Sequence, residues 1–125
     1  MRTMLKSKIH RATVTEASTA NEGGITIDVD LLEAASLLGL EQVHVVDIDN
    51  GVRLETYAIA GARGSGVICL NGAAAKLIGA GDLVTITAYD QVAEPEAHGW
   101  RPTLVYVDEK NQITRVSHDS PQVTA

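Results

Sequence analysis

The sequence contains no phenylalanine, one tryptophan and three tyrosines, so aromatics make up only 3% of its 125 residues. Val, Ile, Leu and Ala must fill any core, and β-branched filling favours strands over a helical bundle. The single cysteine, Cys69, excludes an intramolecular disulfide framework and predicts a reducing, cytoplasmic setting. It lies in the apolar run Val67-Ile68-Cys69-Leu70 and reads as a small buried hydrophobe, not a nucleophile. No run approaches the roughly 20 apolar residues of a membrane span, and no signal-type apolar stretch opens the chain. His10, His44, His98 and His118 include no i,i+4 pair, so with one cysteine they make no dedicated zinc set. Cations are scarce: ten Lys+Arg stand against sixteen Asp+Glu, a net charge of −6. That balance argues against a nucleic-acid partner.

What is present points to one small globular domain. Apolar residues reach 45%, too many for a disordered chain. A chain of this length buries roughly two-thirds of its unfolded surface without staples. The cations are unevenly placed, since Arg2, Lys6, Lys8 and Arg11 all precede the first acid, Glu16. On composition alone these read as the solubilising charges of an edge strand, ahead of a small-anion site.

Strand-like segments dominate. Residues 3–16 alternate as a long strand, and Ile25 to Val29 alternate again after Glu22-Gly23-Gly24. Asp30-Leu31-Leu32-Glu33 reads as a capping box for a short helix through Leu38, with Gly39 at its C-terminus. Val43 to Ile48 and Leu54 to Ile59 flank Asn50-Gly51, the signature of a hairpin with a type I′ turn. Val67 to Leu70 reads as a buried strand, Asn71 as the cap of a second short helix over Gly72 to Leu77, and Leu83 to Tyr89 as another strand. Thr103 to Val107 and Ile113 to Val116 form a closing hairpin, with residues 118–125 left as a flexible tail beyond a 1–117 domain. Many short strands with two small helices suggest a closed barrel, because closure removes exposed edges.

Most motif candidates have a plain structural reading. Gly61 to Gly66 lacks the Gly-Lys-Ser/Thr ending of a phosphate loop and precedes a strand where a helix is needed, so it reads as a turn. Arg63 breaks the G-x-S-x-G pattern around Ser65. Asp28, Asp30, Asp47 and Asp49 read as exposed strand ends or caps, with no pair held for acid/base work. Polar function concentrates instead on the returning hairpin strand, where Arg53, Thr56 and Tyr57 lie, and at Asn71-Gly72-Ala73-Ala74. Arg53 can grip a carboxylate through two parallel bonds, and Tyr57 can exchange a proton.

These residues carry a resemblance. Arg2 to Thr15 (RTMLKSKIHRATVT), Asn50-Gly51, Arg53, Thr56 to Ile59, Arg63-Gly64-Ser65 and Asn71 to Ala75 are similar to the pyruvoyl-dependent aspartate 1-decarboxylases. Ordered matches run from Arg2 to about Pro102. The resemblance implies a double-psi β-barrel, a homotetramer with sites between subunits, and conversion of L-aspartate to β-alanine and CO₂. It assigns Lys8 and Arg53 to carboxylate handling, Thr56 to processing and substrate contact, and Tyr57 to proton donation. Asn71, Gly72, Ala73 and Ala74 become its substrate-holding segment.

In that family the precursor cleaves itself at a Gly-Ser bond, and the Ser becomes the pyruvoyl group that carries the chemistry. The matching dipeptide here is Gly23-Gly24. Gly24 has no hydroxyl to attack the preceding carbonyl and no Cβ to become the pyruvoyl methyl, so no pyruvoyl group is expected. Ala20-Asn21 also replaces the family's usual His-Tyr pair, and Lys76 stands where a His is common. Three readings follow, in this order. The first is a repurposed, pyruvoyl-independent enzyme acting on a small carboxylate or carbonyl compound. The second is a non-catalytic ligand-binding protein or partner of a true decarboxylase. The third is an ordinary decarboxylase captured as an unprocessed Ser-to-Gly precursor.

Overall fold

The computed structural model describes residues 1–120. Nine strands follow in chain order: β1 Arg2–Thr13, β2 Glu16–Ser18, β3 Ile25–Asp28, β4 Gln42–Asp47, β5 Arg53–Gly61, β6 Ile68–Asn71, β7 Leu83–Val92, β8 Thr103–Val107 and β9 Ile113–Ser117. Two short α-helices, α1 Val29–Ala34 and α2 Glu94–Ala97, and a 3-10 helix at Gly72–Lys76 fill the connections. The ladder order is β2-β6-β3-β5-β4-β7-β1-β8-β9. Three pairs are parallel, β1 with β8, β2 with β6 and β3 with β5, and the rest are antiparallel.

The two ends of this ladder meet. Asn111, in the turn between β8 and β9, donates from Nδ2 to the carbonyls of Gly66, just before β6, and Thr13, at the end of β1, both at 2.8 Å. Its Oδ1 accepts the Thr13 amide. A Cβ on Gly66 would fall 2.5 Å from the Lys110 carbonyl, so only glycine permits that approach. The sheet thus curls into a small β-barrel, as the strand pattern suggested. Its core is aliphatic, built from Ile9, Ile25, Ile27, Leu31, Val43, Val45, Ile68, Leu70, Val84, Ile86 and Val105. Cys69 is buried at its edge, and burial pushes its thiol above the usual cysteine range.

Several local expectations shift, each for a tertiary reason. Asp28, not Asp30, caps α1, accepting the Asp30 amide at 2.8 Å. The same carboxylate accepts the amides of Gly64 (3.1 Å) and Gly66 (2.8 Å), partners that no local pattern contains. Asp30 and Glu33 instead bind Arg63, so no capping box forms. The helix ends at Ala34, Ser36 takes a positive φ of 57°, and Leu38 emerges 75% exposed.

The hairpin forms as expected, but its turn is not type I′. Only Gly51 has a positive φ, while the Asp47 carboxylate collects the Asp49 and Asn50 amides and widens the loop. Asp28 and Asp47 thus end β3 and β4 as expected, and Asp28 is a cap, but both are buried organising groups where exposure was expected. The segment after Asn71 is a 3-10 helix without a side-chain cap, because the Asn71 amide is engaged elsewhere. β2 and α2 had no sequence expectation. His118 and Asp119, placed in the tail, are bound by Arg101. The rest of that segment, 121–125, lies outside the described residues.

Candidate functional site

The polar segments picked out from the sequence converge on the loop between β2 and β3. Gly23 and Gly24 hold φ angles of 129° and 78°, which L side chains rarely adopt. The Asn71 amide donates to the Gly24 carbonyl at 3.0 Å, tying the loop to the end of β6. Gly72 then passes so closely that a Cβ there would lie 3.1 Å from the Gly23 Cα. Glycine meets glycine, and the two segments touch through their backbones.

Asn71, 4% exposed, is the hub. Its Oδ1 accepts from the Asn21 side-chain amide at 2.9 Å and lies 3.3 Å from the Cys69 sulfur. Its Nδ2 donates to the Thr26 hydroxyl at 3.0 Å. The side chain is thus spent on the loop itself. Thr26, the nearest hydroxyl along the chain after Gly24, is held in β3 and accepts from Asn71 at the end of β6.

A cleft of about 410 Å³ opens beside this loop, lined by Glu22, Gly23, Gly24, Leu54, Glu55, Thr56, Tyr57, Asn71, Ala73, Ala74 and Leu77. The structure therefore brings Gly24, Thr56, Tyr57, Asn71, Ala73 and Ala74 to one place. Gly72 joins them through its contact with Gly23. Tyr57 crosses the loop, and a Cβ built on Gly23 would lie 3.5 Å from its hydroxyl. Lys76 is exposed and lies outside the cleft's lining.

The two cations are elsewhere in the single chain. Arg53 lines an adjoining depression of about 430 Å³ with His44, Val45 and Val46, which shares Leu54 and Glu55 with the cleft. Lys8 sits further off. Strand register sets Glu55 opposite His44, His44 opposite Thr87, and Thr87 opposite Lys8. Three strand spacings place Lys8 about 14 Å from Glu55 across the sheet.

Sequence reasoning missed the two carboxylates that line the cleft, Glu22 and Glu55, and its apolar wall, Leu54 and Leu77. Glu55 had a usable signal, since it shares the alternation phase of Arg53 and Tyr57 and all three are exposed. Leu77 had none, because a 3-10 helix brings it in. Glu55 accepts from Gln42 Nε2 at 3.2 Å, and His44 stacks edge-on with Tyr89 at 5.1 Å.

The residues present do not fit a pyruvoyl group, since Gly24 has neither the hydroxyl nor the Cβ from which one is made, and the uncleaved loop is closed to a side chain there. A Cβ at position 24 would lie 2.9 Å from both Ile59 Cδ1 and Tyr57 Cε2, and 3.0 Å from the Tyr57 carbonyl. The loop is packed around hydrogen at that position. A larger depression, about 520 Å³ beside α1, offers no alternative site, because Asp28, Asp30 and Glu33 there are already engaged. Among the described residues no group of three or more His, Cys, Asp or Glu could hold a metal ion, and no helix is long and apolar enough to cross a membrane.

Comparison with known proteins agrees with the pattern of residues. Residues 1–114 match the family model described as aspartate decarboxylase. The aspartate 1-decarboxylase of Syntrophus aciditrophicus (strain SB) is 60% identical over 112 residues, covering 90% of this chain and 97% of the relative.

Proposed function

This chain belongs to the aspartate decarboxylase family, and from that premise we propose that it is a member which stays one uncleaved polypeptide. In this reading its cleft binds a small amino-acid-like carboxylate without pyruvoyl-dependent decarboxylation. The carrying observation is position 24, where there is neither a hydroxyl to start cleavage nor a Cβ to become the pyruvoyl methyl. The lining favours a dipolar ligand: Glu22 and Glu55 suit an ammonium end, and Arg53, one residue along from the shared Leu54, suits a carboxylate. Lys8 reaches such a ligand only from another copy of the chain, which is why we include a homotetramer with shared sites in the proposal. The interface would bury on the order of 2,000 Å² or more.

Without a pyruvoyl group the cleft of a single chain offers the Thr56 hydroxyl and proton transfer by Tyr57 and the two glutamates, with no serine, cysteine, lysine or histidine side chain of the same chain in its lining. That absence favours binding over a covalent reaction and moves the repurposed-enzyme reading to second place. The ordinary-decarboxylase reading draws its support from the 60% identical relative, and it meets the obstacle at position 24.

Titration calorimetry with L-aspartate, β-alanine and small keto acids tests the proposal, together with an assay for released CO₂. The expected result is saturable binding with no CO₂. Losing an arginine from a buried carboxylate pair typically costs about 2–5 kcal/mol, so Arg53→Ala should weaken binding tens-fold or more. Arg115→Ala, whose side chain stacks on Tyr106 away from the cleft, should leave it unchanged. Tyr57→Phe should alter binding little. A turnover that disappears in Tyr57→Phe while binding persists would overturn the binder in favour of an enzyme.

A further inference from the structure

Away from the cleft, a pair of carboxyl groups joins two loops. Asp47, at the end of β4, is fully buried. Its Oδ1 accepts the amides of Asp49 (2.8 Å) and Asn50 (3.1 Å). Its Oδ2 is buried and has no donor. Across the ladder Asp47 is opposite Val84 and Ile48 bonds to Leu83, which brings the turn residue Asp82 alongside, its Oδ2 taking the Gly79 amide at 3.2 Å. Two carboxylates side by side repel, and a buried carboxylate without a donor is costly. One proton between them satisfies both.

We propose that Asp47 and Asp82 form a proton-sharing clasp, with Asp47 as the donor, that fastens the β4–β5 loop to the turn before β7 and makes the stability of this junction depend on pH. The junction carries other bonds that the clasp aligns. Ile48 donates its amide to the Leu83 carbonyl, Asp49 Oδ2 accepts the Leu83 amide, and Asn50 Nδ2 donates to the Leu77 carbonyl. Leu77 also walls the cleft, so the clasp reaches the candidate site through one residue.

The charged groups on the elements packed against the pair have both signs. Asp49 follows Asp47 on the loop and accepts the Leu83 amide. On β7 the residue opposite Asp47 is the uncharged Val84, and on β5 the partner of Val46, one residue away, is the cation Arg53. Burial and the neighbouring Asp82 push Asp47 above the usual carboxylate range, while its hydrogen bond to Asp47 pulls Asp82 below it. The sign follows. A raised Asp stabilises the fold while it is protonated and loses that contribution as pH rises through its folded value. A lowered Asp loses its contribution as pH falls through its own. The clasp is therefore complete between the two values and opens on the alkaline side.

The test is thermal unfolding of the full-length protein and two variants across pH 4.5 to 8. Asparagine at 47 carries its own donor toward Asp82, so Asp47→Asn should keep the clasp at every pH. It should melt about 3–6 °C above the wild type at pH 8, and the gap should shrink as the pH falls. Asp82→Asn supplies the donor from the other side and should remove the same pH dependence, which keeps the test valid if either variant fails to fold. Carbon NMR of the Asp47 carboxyl should show it titrating above the ordinary range. Parallel loss of stability in wild type and both variants, or an Asp47 that titrates in the ordinary range, would overturn the clasp.

Discussion

Replacing Asp28 by alanine is expected to lower the melting temperature by about 10–20 °C, or to prevent folding. Its carboxylate accepts three amides, those of Asp30, Gly64 and Gly66, and is 2% exposed. Loss of a helix cap typically costs about 1 kcal/mol, and each buried donor left unpaired about 1–3. The total of about 3–7 kcal/mol is a large share of the roughly 5–15 that holds a domain together. Asp28→Asn should fall between, since one oxygen still serves Asp30 and Gly64 while its NH₂ opposes the Gly66 amide. Asp30→Ala, which removes a surface partner of Arg63, should cost less than about 1 kcal/mol. Circular dichroism melts of the three variants decide between them. A mild Asp28→Ala and a severe Asp30→Ala would restore the capping-box assignment.

Gly24→Ser is the second large effect. Restoring the hydroxyl supplies a nucleophile, yet the side chain must enter a backbone position with φ of 78°. Its Cβ would lie within 3.0 Å of three atoms of Tyr57 and Ile59. Strain at such a position costs about 1–3 kcal/mol, and overpacking about as much again. The variant should therefore be destabilised by about 2–5 kcal/mol and cleave slowly or not at all. Asn21 works in the same direction, because its bond to Asn71 pins the loop that cleavage would have to rearrange. Gel analysis over days, alongside a denaturant melt, checks both parts. Rapid and complete cleavage with unchanged stability would support the trapped-precursor reading.

How much of this was legible in the sequence depends on how local each cause is. The aliphatic core, the hairpin around Asn50-Gly51 and the strands at Ile25, Val67 and Leu83 follow from alternation and turn chemistry, which act over a few residues. The cap was misplaced because Asp28 and Asp30 are locally equivalent choices. The choice falls to Asp28 through Gly64 and Gly66, which are 36 and 38 residues away. Likewise Asp47 is the strand end that the pattern indicated, but its burial comes from the packing of separate loops, which no local pattern contains. α2 has four residues, too few for any helical periodicity to register. The cleft itself was read mostly through resemblance. Its polar members share short segments, but Glu22 and Leu77 enter only through the meeting of separate loops. The distance between Lys8 and the rest comes from strand register, which alternation alone does not specify.

The most direct measurement is intact mass of the purified protein, run beside a sample treated with a hydrazide that captures reactive ketones. An uncleaved family member gives a single species at the full 13.2 kDa and no hydrazone. Two fragments divided between Gly23 and Gly24, or a hydrazone on any part of the chain, would contradict that account and return the protein to ordinary pyruvoyl chemistry.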